Sequence, residues 1–321
     1  MKRLLLIVLF VLLFQCKKPD DPPGVDYRQA MRDFVVNISK YAKAKNSDFI
    51  VIPQNGQELI FESYDLTGNL AKDYLRAIDG TGREDLFYGY NRDNQLTPNN
   101  ENEYLLNLCK TAESNQVEVL AIDYCSDPDK MIDSYSKNEQ NGFISFAAPE
   151  RSLNVIPEFP QKPYNENNLS ITNLGQAKNF LYLINDENYE SKSNFINAVS
   201  STNYDLIIMD LFHNEEKFNR EEIELLKIKE NGSRRLIVAY MSIGEAEDYR
   251  YYWDNDWIKN PPVWLRDENQ HWKGNYEVMY WNEAWQNIIM GSPDSYLNKI
   301  LDSGFDGVYL DLIDAFEYFE E

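Results

Sequence analysis

Along the chain, short and nearly continuous apolar runs alternate with stretches in which apolar residues recur every three or four positions. The runs cover residues 49–53, 75–79, 117–124, 180–184, 206–210, 236–242, 278–281 and 307–311. Each predicts a strand buried on both faces, as strands of parallel sheets are. Helical spacing marks residues 26–45, 102–114, 191–200, 220–230 and 283–303. Strands alternating with helices imply crossover connections, and eight of them predict an α/β chain closed into a (β/α)8 TIM barrel rather than an open sheet. Residues 157–168, rich in Pro and Asn, predict a linker or surface loop.

Acidic residues gather where these strands end. Asp79, Asp123, Asp210, Glu245 and Glu247 beyond Ser242, and Asp311 with Asp314 all lie at or just past the carboxyl end of a predicted strand. In a parallel barrel those ends share one mouth, where active sites of the architecture sit. A single acid there serves equally well as the cap of the next helix. Several converging ones suit glycoside hydrolysis, in which one carboxyl protonates the leaving oxygen while another attacks the anomeric carbon or activates water.

The 321 residues carry 31 basic and 53 acidic side chains, a formal net charge of −22. So acidic a surface repels nucleic acid and anionic headgroups and favours a cationic partner. Two histidines at unrelated positions and the lack of Cys-x-x-Cys or His-Glu-x-x-His give no metal-ligand spacing, and no phosphate-binding or dinucleotide glycine motif occurs. No metal and no cofactor are expected. At the front, Lys2 and Arg3 precede an apolar run over residues 4–14 and then Gln15-Cys16, too short for the about 20 residues that span a bilayer. Residues 1–15 therefore read as an export signal that ends in a lipobox-like sequence. Cys16 becomes the lipidated residue, residues 16–26 a tether, and the destination an anchored position on a bacterial membrane, periplasmic or at the cell surface. The membrane is met through the anchor only, nucleic acid is not a partner, and a monomer is expected. An uncleaved anchor with an incidental cysteine is the alternative.

All six tryptophans fall between residues 253 and 285, with Tyr276 and Tyr280 among them and Tyr249, Tyr251 and Tyr252 just before. Aromatic rings dominate cores generally, so core filling is the plain explanation. Crowding beside a strand end also suits a platform for a ring-shaped ligand, for which Trp253 and Trp281 are the chosen residues, with Tyr280 beside them.

The segments Tyr240-Met-Ser-Ile-Gly-Glu-Ala-Glu-Asp-Tyr-Arg250, Gly274-Asn-Tyr-Glu-Val-Met-Tyr-Trp281 and Gly304-Phe-Asp-Gly-Val-Tyr-Leu-Asp-Leu-Ile-Asp-Ala-Phe-Glu317 resemble glycoside hydrolase family 114, the endo-α-1,4-polygalactosaminidase-like barrels. So do Ile52-Pro-Gln-Asn-Gly56 and Ile78-Asp-Gly-Thr-Gly-Arg-Glu-Asp-Leu-Phe-Tyr88. Their order departs from the family's, in which the Gly-Phe-Asp-Gly-Val-Tyr-Leu-Asp strand precedes the Pro-Gln-Asn-Gly strand. A circular permutation of one barrel over residues 27–321 is expected, with 27–156 as the family's C-terminal half, 157–175 as linker and 176–321 as its N-terminal half. Exposed connections with neighbouring ends permit such a re-cut. A truncated barrel, or one fused to an unrelated domain, is the other account.

Carried over residue by residue, the resemblance implies Asp311 as nucleophile or charge stabiliser and Glu84 as general acid/base. Asp210, Ser242, Glu245, Asp314 and Asn55 follow as substrate-binding residues, Glu245 suited to a protonated amino group and Ser242 and Asn55 to a hydroxyl. The implied activity is endo-cleavage of α-1,4-linked galactosamine-rich polysaccharide, a cationic polymer. Two alternatives are a surface carbohydrate-binding lipoprotein without turnover and a glycosidase acting on another amino-sugar polymer.

Overall fold

The computed structural model describes residues 24–320. Residues 1–15, Cys16 and most of the tether lie outside the described residues. The parallel strands are β1 (Ile50–Pro53), β2 (Gly80–Glu84), β3 (Glu118–Tyr124), β4 (Ile144–Ala148), β5 (Phe180–Leu183), β6 (Leu206–Met209), β7 (Leu236–Ser242) and β8 (Gly307–Asp311). They form a five-stranded sheet in the order β1-β8-β7-β6-β5 and a three-stranded sheet in the order β2-β3-β4, with every pairing parallel. The sheets meet where the Asp79 amide donates to the Val51 carbonyl (2.9 Å) and the Asn55 amide to the Gly82 carbonyl (2.8 Å). On the far side β4 lies beside β5. This mixed α/β arrangement of parallel sheets is consistent with a TIM-like fold.

The helices pack outside the sheets by their apolar stripes. Helix α1 (Tyr27–Lys45) starts where the Asp26 carboxylate accepts the Gln29 amide at 2.9 Å, and it buries Met31, Phe34, Val35, Ile38 and Ala42 at helical spacing. Full burial of a Val, Ile, Met or Phe side chain is worth about 1.5–3 kcal/mol, and of Ala42 less. A single apolar cluster runs from these residues through the strands to Phe316.

Four sequence expectations change. Residues 75–79 are not a strand: Tyr74, Leu75 and Ala77 are the buried face of helix α2 (Lys72–Ala77), and the strand follows as Gly-Thr-Gly-Arg-Glu, which has no large apolar side chain. Its burial comes from close approach instead. A Cβ on Gly82 would stand 1.9 Å from the Tyr309 hydroxyl, and one on Gly80 would stand 2.7 Å from Leu174 Cδ2. Asp79 therefore sits at the amino end of β2, away from the mouth, where its carboxylate accepts the Val51 amide at 2.8 Å and pairs with Lys43 at 2.9 Å.

Residues 278–281 do not supply a parallel strand either. Asn275–Val278 is the middle strand of a small antiparallel sheet, between Glu245–Glu247 and Leu265–Glu268. The parallel strand missing from the expectation is β4, preceded by helix α3 (Pro128–Gln140). The expected helix over 283–303 is two, Glu283–Ile289 and Tyr296–Ser303, separated by a turn with Gly291 at φ +98° and Pro293. Residues 157–168 are a loop, as expected. Tyr164 stacks on Tyr135 at 4.7 Å, and Asn167 donates to Asp205 at 2.8 Å beneath β6. Asp205 is fully buried against Lys229, 2.5 Å away.

Candidate active site

The carboxyl ends of the parallel strands surround a cavity of about 480 Å3. Glu84 closes β2, Asp311 closes β8, Tyr124 closes β3, and Asp210 follows β6. All four line the cavity, together with Gln54 and Asn55 past β1. Asn55 (φ 60°) and Gly56 (φ 56°) are both left-handed, which turns the chain sharply so that the Asn55 amide points back at Glu84. A Cβ on Gly56 would sit 3.1 Å from Ile313 Cγ2, so glycine also lets this turn pack against the loop after β8.

Glu84 is surrounded by donors. Gln54 Nε2 donates to its Oε2 at 2.6 Å and Asn55 Nδ2 to the same oxygen at 3.0 Å, while the Tyr124 hydroxyl donates to Oε1. Gln54 is held in turn by the Tyr182 hydroxyl, which donates to its Oε1 at 2.8 Å. Asp311, which lines the same cavity, accepts the Tyr240 hydroxyl at 2.5 Å and the Leu312 amide at 2.8 Å. Leu312 has φ +59°, a conformation that costs a non-glycine residue of order 1 kcal/mol or more and persists only where the surroundings enforce it. They do so here. Ile243 donates to the Asp311 carbonyl at 3.1 Å, and Gly244 lies so close that a Cβ there would be 2.3 Å from the Leu312 carbonyl oxygen.

Burial, and then the charge of Glu84, pushes the Asp311 carboxyl up to about 7. Asp314 is likewise pushed up to about 7, by burial and by Glu317, against the pull of Arg83. Two carboxyl groups that share one enclosed space favour holding a proton between them, the condition for splitting acid and base roles.

The antiparallel sheet forms one wall. Strand alternation puts Glu245 and Glu247 on the cavity side and Ala246 in the core. Glu245 accepts from Asn269 (2.7 Å), Asn275 (3.2 Å) and Tyr318 (3.2 Å), and burial outweighs these donors to raise its carboxyl. Arg250 bridges Asp210 at 2.7 Å and Glu247 at 2.6 Å. Burial raises the Asp210 carboxyl, with Arg250 opposing it. Asp210 is thus already matched by a cation.

Of the residues singled out from sequence, Glu84, Asp311, Asp210, Glu245, Asp314 and Asn55 line the cavity together. Ser242 does not: it is buried and donates to the Glu245 carbonyl at 3.0 Å, fixing the turn out of β7. Trp253, Trp281 and Tyr280 are also absent from the lining. Trp253 packs on Tyr276 at 4.8 Å and Trp257 at 5.2 Å, and Trp281 on Phe319 at 4.7 Å, Tyr280 at 4.9 Å and Tyr27 at 5.1 Å. The Tyr280 hydroxyl donates to the Tyr27 carbonyl at 2.9 Å, so this group ties α1 and the last helix together. Asp123 is buried beneath the mouth, accepting the Phe87 and Tyr88 amides at 2.7 and 3.1 Å and the Ser134 hydroxyl at 2.6 Å.

The residues missed are Gln54, Tyr124, Tyr182, Tyr240 and Arg250. A polar atom set inside an apolar strand run was the available signal for the three tyrosines. Among the described residues no group of three or more His, Cys, Asp or Glu is placed to hold a metal, and Cys109 and Cys125 are unpaired and buried.

Residues 161–321 match the model of glycoside hydrolase family GH114. An uncharacterized protein of Methanocaldococcus jannaschii is 43% identical over 184 residues, 56% of this chain and 49% of that protein. Uncharacterized proteins of Thermotoga maritima and Deinococcus radiodurans are 39% and 36% identical over 38% of this chain, covering 36% and 37% of their own lengths. The chain spans about half the length, or less, of the curated relatives it matches. Since the matched half carries Asp311, Asp210 and the Glu245–Arg250 wall of the cavity, the chain belongs to glycoside hydrolase family 114.

Proposed function

We propose that this chain is an endo-acting glycoside hydrolase that cuts α-1,4-linked galactosamine-rich polysaccharide with Glu84 and Asp311. The observation that carries the reading is that these two carboxyls, far apart along the chain, line one cavity, each held by its own set of donors. Glu84 takes the general acid/base role, giving the proton that the pair shares to the glycosidic oxygen as that bond breaks and, as the carboxylate, taking one from the incoming water. Asp311 either attacks the anomeric carbon, to be displaced later by water, or stabilises positive charge on the sugar ring. The acidic wall around Glu245 suits the ammonium groups of a deacetylated amino sugar. The net charge of −22 draws such a polymer in at long range.

The barrel is closed and circularly permuted in this reading, with β1 against β2 and β4 against β5 as its two seams. The seam hydrogen bond from Asn55 to Gly82 supports closure, and a family match that begins at residue 161 supports the re-cut. Export and lipidation at Cys16 would hold the enzyme at a membrane surface, where an extracellular polymer is met. No helix among the described residues is long and apolar enough to cross a membrane.

Mass spectrometry of products formed from galactosamine-rich polysaccharide tests the activity. Shorter oligomers from wild type and none from E84Q or D311N are expected. Activity should fall as pH rises through about 7, where the pair gives up its shared proton. Binding without shortening would sink the hydrolase and leave a carbohydrate-binding protein.

A further inference from the structure

Within the aromatic cluster, the rings that face the cavity are not Trp253, Trp281 and Tyr280, the ones chosen from sequence. Trp272 is 62% exposed and lines the cavity, and Tyr249, 59% exposed, lines it too. Trp253, Trp257, Trp264, Trp281 and Trp285 are instead engaged in ring-ring packing. Exposure of one indole is ordinary by itself; at the mouth of a polar cavity it leaves a flat apolar face open to whatever ring enters there.

Its loop is built to hold it there. Asn269 Oδ1 accepts the amides of His271 at 2.8 Å and Trp272 at 3.3 Å, and Asn269 Nδ2 donates to Glu245 at 2.7 Å. The Gly274 amide donates to Glu268 at 2.9 Å, and the Gly274 carbonyl accepts the Asp248 amide at 2.8 Å. Gly274 has φ +89°, and a Cβ there would come within 2.8 Å of Asp248, so only glycine closes this turn without strain. The pairing of Glu247 with Asn275 brings Tyr249 and Trp272 to the same end of the antiparallel ladder. The Tyr249 ring is steadied by its hydroxyl, which donates to Glu247 at 2.6 Å, and by the Arg250 guanidinium 5.2 Å from its centre.

We infer that Trp272, flanked by Tyr249, is a stacking platform for a hexosaminyl ring of the polymer lying outside the reacting bond. The C–H face of a pyranose packs on an indole, while its hydroxyl and amino groups turn toward the acidic wall. This rests on the saccharide reading of the cavity and goes beyond it by assigning an outer subsite. Such a site binds ground state and transition state alike, so it acts on KM rather than kcat.

The test uses the full chain with galactosamine-rich polysaccharide and a defined α-1,4-galactosamine oligosaccharide. W272A should raise KM on the polymer about tenfold with a much smaller change in kcat, and W272F should recover part of the loss. In parallel, the oligosaccharide should shield tryptophan fluorescence from acrylamide in wild type and in E84Q, but not in W272A. An unchanged KM in W272A, shielding that survives in W272A, or no shielding in wild type would each overturn the platform. Shielding lost in W272A from a wild-type chain that cleaves nothing would uphold the platform and sink the hydrolase.

Discussion

Replacing Asp311 with Asn should stabilise the folded chain, and only on the alkaline side. The Asp311 carboxyl is pushed from 3.8 up to about 7, first by burial and then by the charge of Glu84. Between those values the folded chain keeps a proton that the unfolded chain has released. Stability contributed by that proton is therefore present at low pH, declines from about pH 4, and is gone once pH passes about 7. At ~1.4 kcal/mol per pH unit the full shift corresponds to ~4 kcal/mol. Asp311 is partly open to the cavity, and screening there lowers the expectation to ~2–4 kcal/mol. Asn cannot ionise but keeps an oxygen for the Leu312 amide. Urea denaturation should therefore find D311N and wild type within ~1 kcal/mol of each other near pH 4, and D311N more stable by ~2–4 kcal/mol near pH 8.5. A difference that is the same at both pH values would refute the reasoning, because it would locate the effect in packing rather than in ionisation.

Two further substitutions probe the frame. G82A drives a Cβ to within 1.9 Å of the Tyr309 hydroxyl, and its cost should be ~1–3 kcal/mol in thermal or urea melts. Tyr309 has a buried hydroxyl with no hydrogen-bond partner, so G82A/Y309F should recover part of that loss, and equal stability of the single and double variants would contradict the close-approach account. K229A leaves Asp205 charged and buried without its cation, and should destabilise by ~3–5 kcal/mol, with K229M/D205N less affected. If K229A melts like wild type, the pair does not hold the 157–168 loop beneath β6.

Sequence by itself determined the larger part of the scaffold and the identity of the acids. β1, β3, β5, β6, β7 and β8 were legible because a strand covered on both faces must be apolar throughout, a pattern that needs no neighbour to interpret. Asp311 was legible because acids at strand ends have one common destination in a parallel sheet, whereas Glu84, five residues beyond the strand expected there, was legible only because the motif around it resembles a known family. What only the tertiary structure decided concerns residues whose environment comes from elsewhere in the chain. β2 has no large apolar side chain, and its burial depends on Tyr309 and Leu174 reaching over two glycines. Asp79 and Asp123 carry the same charge as the cavity acids, yet one is turned to the other end of the sheet and one is capped by amides. The six tryptophans crowd together in sequence, but three-dimensional packing takes up five and leaves Trp272 at the mouth, a difference set by a hairpin turn at Gly274 and not by composition. Patterns along a chain report how much of a residue is hidden; which partner hides it depends on segments that local periodicity does not connect.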